Sequence, residues 1–125
     1  MREMSGVLET NPVLEAILGD VSRQARQALG DRLRKIILFG SYARGDYDEE
    51  SDVDVMVLAD FREEERRALQ KTINKISSDM SLQYDVTVCI LLKDQGVFDT
   101  RAELPFYRNV ITEGIEFNAS LQEIG

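Results

Sequence analysis

The sequence predicts an α+β fold, a small mixed β-sheet flanked by helices. Two long stretches, 14–29 and 69–80, carry apolar residues at helical spacing. Three short runs rich in Val, Ile and Leu, at 35–39, 53–59 and 84–91, read as strands. Their order is helix, strand, strand, helix, strand, helix, which places helices against a small mixed sheet.

Taken in order, residues 1–9 show no clear period and read as a frayed end. Asn11 is a helix cap and Pro12 the first helical position. Leu14, Ile17, Leu18, Val21, Ala25, Ala28 and Leu29 then recur on one stripe, and Gly30 stops the helix. Residues 35–39 form a short buried strand, and 53–59 a second, rich in Val. Asp60 reads as an N-cap, with Glu63 completing a capping box. Glu63, Glu64 and Glu65 suit the positive end of a helix dipole. Leu69, Ile73, Ile76 and Met80 give that helix its core stripe. Tyr84 to Leu91 reads as the third strand, and 93–103 as a partly polar connection. Leu104 to Glu113 is a short helix opening near Pro105 and ended by Gly114, and Ile115-Glu116-Phe117 is a small final strand. No repeat, low-complexity tract or linker interrupts this, so 1–125 is expected to be one domain.

Bulk properties bound the function. At 125 residues and 43% hydrophobic content the chain can build one core, burying roughly 65–70% of the surface its unfolded form exposes. The single Cys89 cannot form a disulfide within the chain. With no secretory signal, this fits a reducing cytoplasm. No apolar stretch approaches the roughly 20 residues of a membrane span. A net charge of −8 should repel nucleic acid and anionic membranes. With no histidine in the chain, a bound metal must rely on oxygen ligands, as Mg²⁺ or Mn²⁺ does.

The chemistry concentrates at two places. An apolar run, Ile36-Ile37-Leu38-Phe39, ends in Gly40-Ser41, and a second apolar run opens with Asp52-Val53-Asp54. Gly40 lets the chain turn sharply and a phosphate approach closely. Ser41 adds a hydroxyl and an amide where a helix is expected to begin. Arg44, three positions on, would share its side and reach a triphosphate or brace the acidic loop. Asp52 and Asp54 alternate along a strand and share a face, with Cα atoms roughly 6.6 Å apart. Val53, Val55 and Val57 then face the core. Two such carboxylates repel unless a cation lies between them. A pair of magnesium ions is the arrangement that activates a hydroxyl and steadies a leaving pyrophosphate. Asp85, at the start of the third expected strand, would face Asp54 as a third carboxylate, ligand or general base.

Less pointed features have plainer readings. Asp46, Asp48, Glu49 and Glu50 read as a solvated loop, and Cys89 as a small space-filling thiol that shares strand parity with Asp85. Phe106, Tyr107 and Phe117 read as core or interface, with base stacking the alternative for Tyr107. Nothing in the spacing of Lys93 or Arg108 points to substrate.

The segment 33–92 resembles the nucleotidyltransferase superfamily that includes DNA polymerase beta. Its signature is hydrophobic-Gly-Ser, a spacer, Asp-x-Asp, then a later Asp on a strand. The form Gly40-Ser41-Tyr42-Ala43-Arg44-Gly45 with Ser51-Asp52-Val53-Asp54 is similar to the minimal nucleotidyltransferases, the MNT family, many of which act as antitoxins paired with a HEPN-domain toxin. The resemblance implies a polymerase beta-like fold. It further implies that Gly40 and Ser41 hold the triphosphate of ATP, that Asp52 and Asp54 bind Mg²⁺, and that Asp85 completes the triad. The implied reaction transfers AMP to a tyrosine of the HEPN partner. Larger relatives close a second domain over base and acceptor. This chain has no room for one, so the partner is expected to complete the pocket. Two other readings stay open: an antitoxin that neutralises by contact alone, and transfer to a small hydroxylated molecule such as an aminoglycoside.

Overall fold

The computed structural model describes Arg2–Glu3 and residues 11–117. Five strands, β1 (Arg2–Glu3), β2 (Leu33–Phe39), β3 (Val53–Ala59), β4 (Val88–Asp94) and β5 (Ile115–Phe117), form one sheet in the order β1-β5-β2-β3-β4. The sheet is mixed. β2 runs antiparallel to β3 and β5, while β3 and β4 are parallel, as are β1 and β5. Among the described residues five helices accompany it: α1 (Pro12–Leu29), α2 (Ser41–Arg44), α3 (Arg66–Tyr84), α4 (Gln95–Thr100) and α5 (Pro105–Glu113). The parallel β3–β4 pair needs a long crossover, and α3 supplies it.

Each face of the sheet has its own core. On one, Val53, Val55 and Val57 meet Leu14, Ile17, Leu18 and Val21 of α1 and Ile73, Ile76 and Met80 of α3. On the other, Ile37, Met56 and Leu58 pack with Phe98 of α4 and with Tyr107 and Val110 of α5. The alternation along β3 sends the valines one way and Met56 and Leu58 the other. Asp54 has the parity of Met56, so it begins the second face at the strand's start.

Much of the expected layout is observed. The Leu14 N–H donates to Asn11 Oδ1 at 3.0 Å, with Pro12 next in line. Gly30 follows α1 at φ +58°, and β3, α5 and β5 cover the expected residues. The frayed end expected at 1–9 falls largely outside the described residues, but Arg2–Glu3 within it pairs with β5 as an edge strand.

Four expectations are corrected. β2 begins at Leu33, with irregular pairing between Leu33 and Lys35. Asp60 caps no helix, because its carboxylate pairs with Arg34 and its N–H donates to the Arg32 carbonyl at 2.9 Å. Glu65 plays the part expected of Glu63. It accepts the Arg62 N–H at 3.0 Å and Arg32 Nη1 at 2.6 Å, and these contacts, Arg62 first, hold its carboxyl below the usual range. A 3₁₀ turn, Glu63–Glu65, then leads into α3. In the 93–103 connection, Asp94 Oδ2 accepts the Val97 N–H at 3.2 Å and caps α4.

The fourth correction concerns the third strand. Tyr84 closes α3, Asp85 follows in the left-handed conformation (φ 54°, ψ 42°), and β4 starts only at Val88. Tertiary bonds fix this boundary. The Tyr84 hydroxyl bonds to the Asp20 carboxylate on α1. Ser81 Oγ accepts the Val88 N–H at 2.9 Å, and Ser77 Oγ accepts the Ile90 N–H at 3.1 Å. These serines seat the outgoing helix on the incoming strand.

Candidate active site

The antiparallel β2–β3 ladder brings the two motif segments together. Phe39, the last residue of β2, pairs with Asp54, so the next residue, Gly40, lies beside the Asp54 side chain. Gly40 takes φ 75° and ψ −156°, a region essentially reserved for glycine. A methyl group there would overlap Asp54 Oδ2 and stand 3.2 Å from Cγ. The Gly40 carbonyl accepts the Ala43 and Arg44 N–H groups, both at 3.1 Å, which starts the single turn α2 at Ser41. Gly45 ends that turn in a left-handed conformation at φ 86°. The glycine is therefore fixed twice, by its backbone angle and by the carboxylate against it.

The following loop is self-braced. Asp48 Oδ1 accepts the Glu50 N–H at 2.9 Å, and Ser51 Oγ accepts the Asp48 N–H at 2.9 Å. Tyr42 and Tyr47 stack with centroids 4.2 Å apart. Asp46, Asp48, Glu49 and Glu50 are exposed, as a solvated loop should be.

Asp52 is exposed and Asp54 half-buried. Burial first, then the charge of Asp52, raise the proton affinity of the Asp54 carboxyl, while Arg44 opposes them. Arg44 itself is held by Asp46 (Nε–Oδ2 3.2 Å) and Glu113 (Nη1–Oε2 3.4 Å). Its side chain thus braces the loop against the end of α5 while its charge reaches Asp54.

Asp85 does not join the pair. The residue level with Asp54 on β4 is Cys89, and the Val53 N–H donates to the Thr87 carbonyl at 2.8 Å. Asp85 lies four residues before Cys89, beyond the strand and exposed. Among the described residues no three His, Cys, Asp or Glu side chains are grouped to hold a metal. The third position, expected to carry a carboxylate, is instead a half-buried thiol. Burial, then Asp52 and Asp54, push the Cys89 pKa up.

Two neighbours of the site had no clear signal in the sequence. Glu113 meets Arg44 only through the fold, 69 positions away. Phe106, 43% exposed, packs edge-on to Phe39 at 5.8 Å, one residue from Gly40. Tyr107 is buried among aromatic rings, as expected of a core residue.

A family model described as a nucleotidyltransferase domain matches residues 21–115, which contain both motif segments and the strands that join them. The chain belongs to this family. Two relatives of this nucleotidyltransferase come from Methanocaldococcus jannaschii, and both are provisionally named protein adenylyltransferases. MJ0604 is 36% identical over 83 residues, covering 66% of this chain and 76% of its own. MJ0141 is 46% identical over 72 residues, covering 58% and 71%. Two solved structures share the nucleotidyltransferase fold at 20% identity. One is a toxin–antitoxin complex with AMP-PNP, with TM-score 0.51 over 85% of this chain and 78% of that one. The other is a Sulfolobus solfataricus protein provisionally named a nucleotidyltransferase, with TM-score 0.50 over 75% and 78%. Among the described residues no helix is long and apolar enough to cross a membrane.

Proposed function

We propose that this nucleotidyltransferase transfers AMP from ATP to a tyrosine hydroxyl of a HEPN-domain toxin, and so acts as its antitoxin in the cytoplasm. The observation that carries this is the seating of Gly40 against Asp54. It unites a sharp strand-to-helix turn with a carboxylate pair in one place. The names of the archaeal relatives support a protein acceptor, and the toxin–antitoxin neighbour supports a toxin as partner.

The donor set suits a hard divalent cation. Asp52 and Asp54 offer carboxylate oxygens on one face, Asp54 is made uneasy by burial and by its like-charged neighbour, and the Cys89 thiol beside them is pushed toward its neutral form, a poor metal ligand. Asp52 and Asp54 would hold Mg²⁺. When bound, the metal would neutralise phosphate charge and make the acceptor hydroxyl more acidic. Gly40 and Ser41 would admit and orient the triphosphate, and Arg44 would face its charge from the α2 turn. The tyrosine oxygen bonds to the α-phosphorus and passes its proton to water. The bond from that phosphorus to the bridging oxygen breaks, and pyrophosphate leaves. Positioning and charge complementarity supply the rate gain.

The intact mass of a co-expressed partner tests this. It should rise by one or more AMP units with the wild-type protein and remain unmodified with Asp52→Asn or Asp54→Asn. Full modification by either variant would overturn the assigned roles. One observation favours a second reading, neutralisation by contact alone: only two carboxylates meet at the site among the described residues. Calorimetry separates the two. Tight partner binding without any Mg²⁺-ATP binding would select contact alone.

A further inference from the structure

On the α5 face of the sheet, Phe39, Asp54 and Cys89 stand level across β2, β3 and β4. Asp54 therefore has an aromatic ring on its β2 side, where the chain turns at Gly40, and a thiol on its β4 side. Phe106 of α5 extends the aromatic side. Its ring lies edge-on to Phe39 at 5.8 Å and to Tyr107 at 5.3 Å, yet the residue is 43% exposed. Tyr107, weighed in the sequence for base stacking, is only 6% exposed and has its ring committed to the core. The open ring beside the site belongs to the residue before it.

Helical spacing puts Phe106, Asn109 and Glu113 on one stripe of α5. Phe106 at its start touches Phe39, the neighbour of Gly40, and Glu113 at its end holds Arg44 of the α2 turn at 3.4 Å. The two ends lie roughly 10 Å apart along the helix axis. Asn109 stands between them and is exposed. Cation, amide and aromatic ring thus follow one another in the order of triphosphate, ribose and base. An amide both donates and accepts, as a ribose hydroxyl does, and a phenyl ring stacks on the face of any base. The in-line course of the reaction assigns the two sides of Asp54. Attacking hydroxyl and leaving pyrophosphate lie on opposite sides of the phosphorus. With the pyrophosphate at the Gly40 turn, the acceptor enters from the other side, and the ring on the near side is left to the donor.

We propose that α5 carries the nucleoside subsite of the donor: the base stacks on the exposed ring of Phe106 and Asn109 holds a ribose hydroxyl, while the triphosphate lies against the Gly40 turn and Arg44. The inference deepens the transfer reading and rests on it for the place of the triphosphate, but nucleoside binding is measurable without transfer.

Calorimetry on the full chain tests it with three Mg²⁺-loaded probes: ATP, 2′,3′-dideoxy-ATP and inorganic tripolyphosphate. Wild-type protein should bind ATP at least tenfold more tightly than tripolyphosphate. Phe106→Ala should lose about tenfold in ATP affinity, the size of one stacked base, while its tripolyphosphate affinity stays within twofold. Phe106→Trp should keep the ATP affinity. Asn109→Ala should lose about fivefold for ATP, the size of one hydrogen bond, and less than twofold for dideoxy-ATP. Thermal melting confirms that the variants are folded, and Phe106→Leu, which keeps an apolar contact with Phe39, provides a milder change. Equal losses for ATP and tripolyphosphate in both Phe106→Ala and Phe106→Leu reduce the ring to a prop for the Gly40 turn and overturn the subsite. Unchanged ATP affinity in Phe106→Ala with a raised KM for the acceptor protein gives the ring to the acceptor and overturns it too. The expected losses in ATP affinity with no AMP transfer to any protein acceptor refute the transfer reading and leave the subsite standing. Transfer by Phe106→Ala at the wild-type KM for ATP refutes only the subsite.

Discussion

Gly40→Ala should disable the site while leaving the protein folded, and the structure supplies both magnitudes. Its backbone sits at φ 75° and ψ −156°, a conformation that costs a non-glycine residue about 1–3 kcal/mol. The added methyl would also overlap Asp54 Oδ2 and crowd Cγ at 3.2 Å and Cβ at 3.4 Å. Cγ must give by a few tenths of an ångström and Oδ2, at the end of the side chain, must move by about 1 Å to reach ordinary contact distance, so the carboxylate turns away from its place. A misplacement of that size costs on the order of 100-fold in rate. For a domain of this length the strain alone lowers Tm by roughly 5–15 °C. Gly45→Ala is the matched control. It has a comparable left-handed angle, φ 86° and ψ 7°, but a methyl group there meets nothing within 4 Å. It should lose about 1–2 kcal/mol of stability, yet keep transfer within about twofold of wild type. The assay is initial-rate transfer of α-labelled AMP at 25 °C alongside thermal melts. If Gly40→Ala kept more than about a tenth of wild-type transfer, or if Gly45→Ala lost as much as Gly40→Ala, the claim that Gly40 positions Asp54 would be refuted.

Asp54→Asn should raise the Tm of the metal-free protein at pH 7 while abolishing transfer. The sign follows from linkage. Burial, then Asp52, raise the folded-state pKa of Asp54 above its ordinary 3.8. The stabilisation from the protonated carboxyl is fully present below pH 3.8 and is lost as pH rises through the folded value. The variant's advantage should therefore vanish in melts below that pH and be full near neutrality, and an advantage independent of pH would sink the assignment. Asp85→Asn should transfer within about threefold of wild type, since this carboxylate lies away from the pair. Asp85→Gly should gain up to about 1 kcal/mol in denaturant melts by relieving a positive φ. A loss of two orders of magnitude or more in Asp85→Asn would return this residue to the reacting centre.

The parts of the fold legible in the sequence are those where local chemistry and tertiary structure agree. β3 carries a period-2 valine pattern and emerges with the expected bounds. Asn11 and Pro12 open α1 because cap and first-turn proline act within a few residues. The Gly40-Ser41 turn and the Asp52–Asp54 pair were readable for the same reason. The joining of these two segments was only implied, since it depends on the pairing of Phe39 with Asp54. Asp60 and Glu65 show the opposite case. Asp60 with Glu63 and Arg62 with Glu65 have the same spacing, and the choice between them lies with Arg32 and Arg34 on a distant strand. Helix α4, six residues with Gly96 inside, is too short to display a period.

The misplacement of Asp85 has a specific physical origin, and it changes how the site should be understood. Met80, Tyr84 and Val88 are spaced by four, which satisfies a helix stripe, while Tyr84, Val86 and Val88 are spaced by two, which satisfies a strand. Periodicity cannot divide a segment that meets both patterns. The division is made by Ser77 and Ser81 bonding the β4 amides and by Tyr84 reaching Asp20 on α1. Once those contacts extend α3 to Tyr84, Asp85 must turn and β4 must start late, and the partner of Asp54 becomes Cys89. The same contacts that stabilise the crossover therefore set the composition of the site. A carboxylate pair lies beside a thiol, and the third charge that completes the family pattern sits outside the strand. Under the proposed transfer, the two carboxylates and the Gly40 turn would act with whatever the acceptor protein contributes.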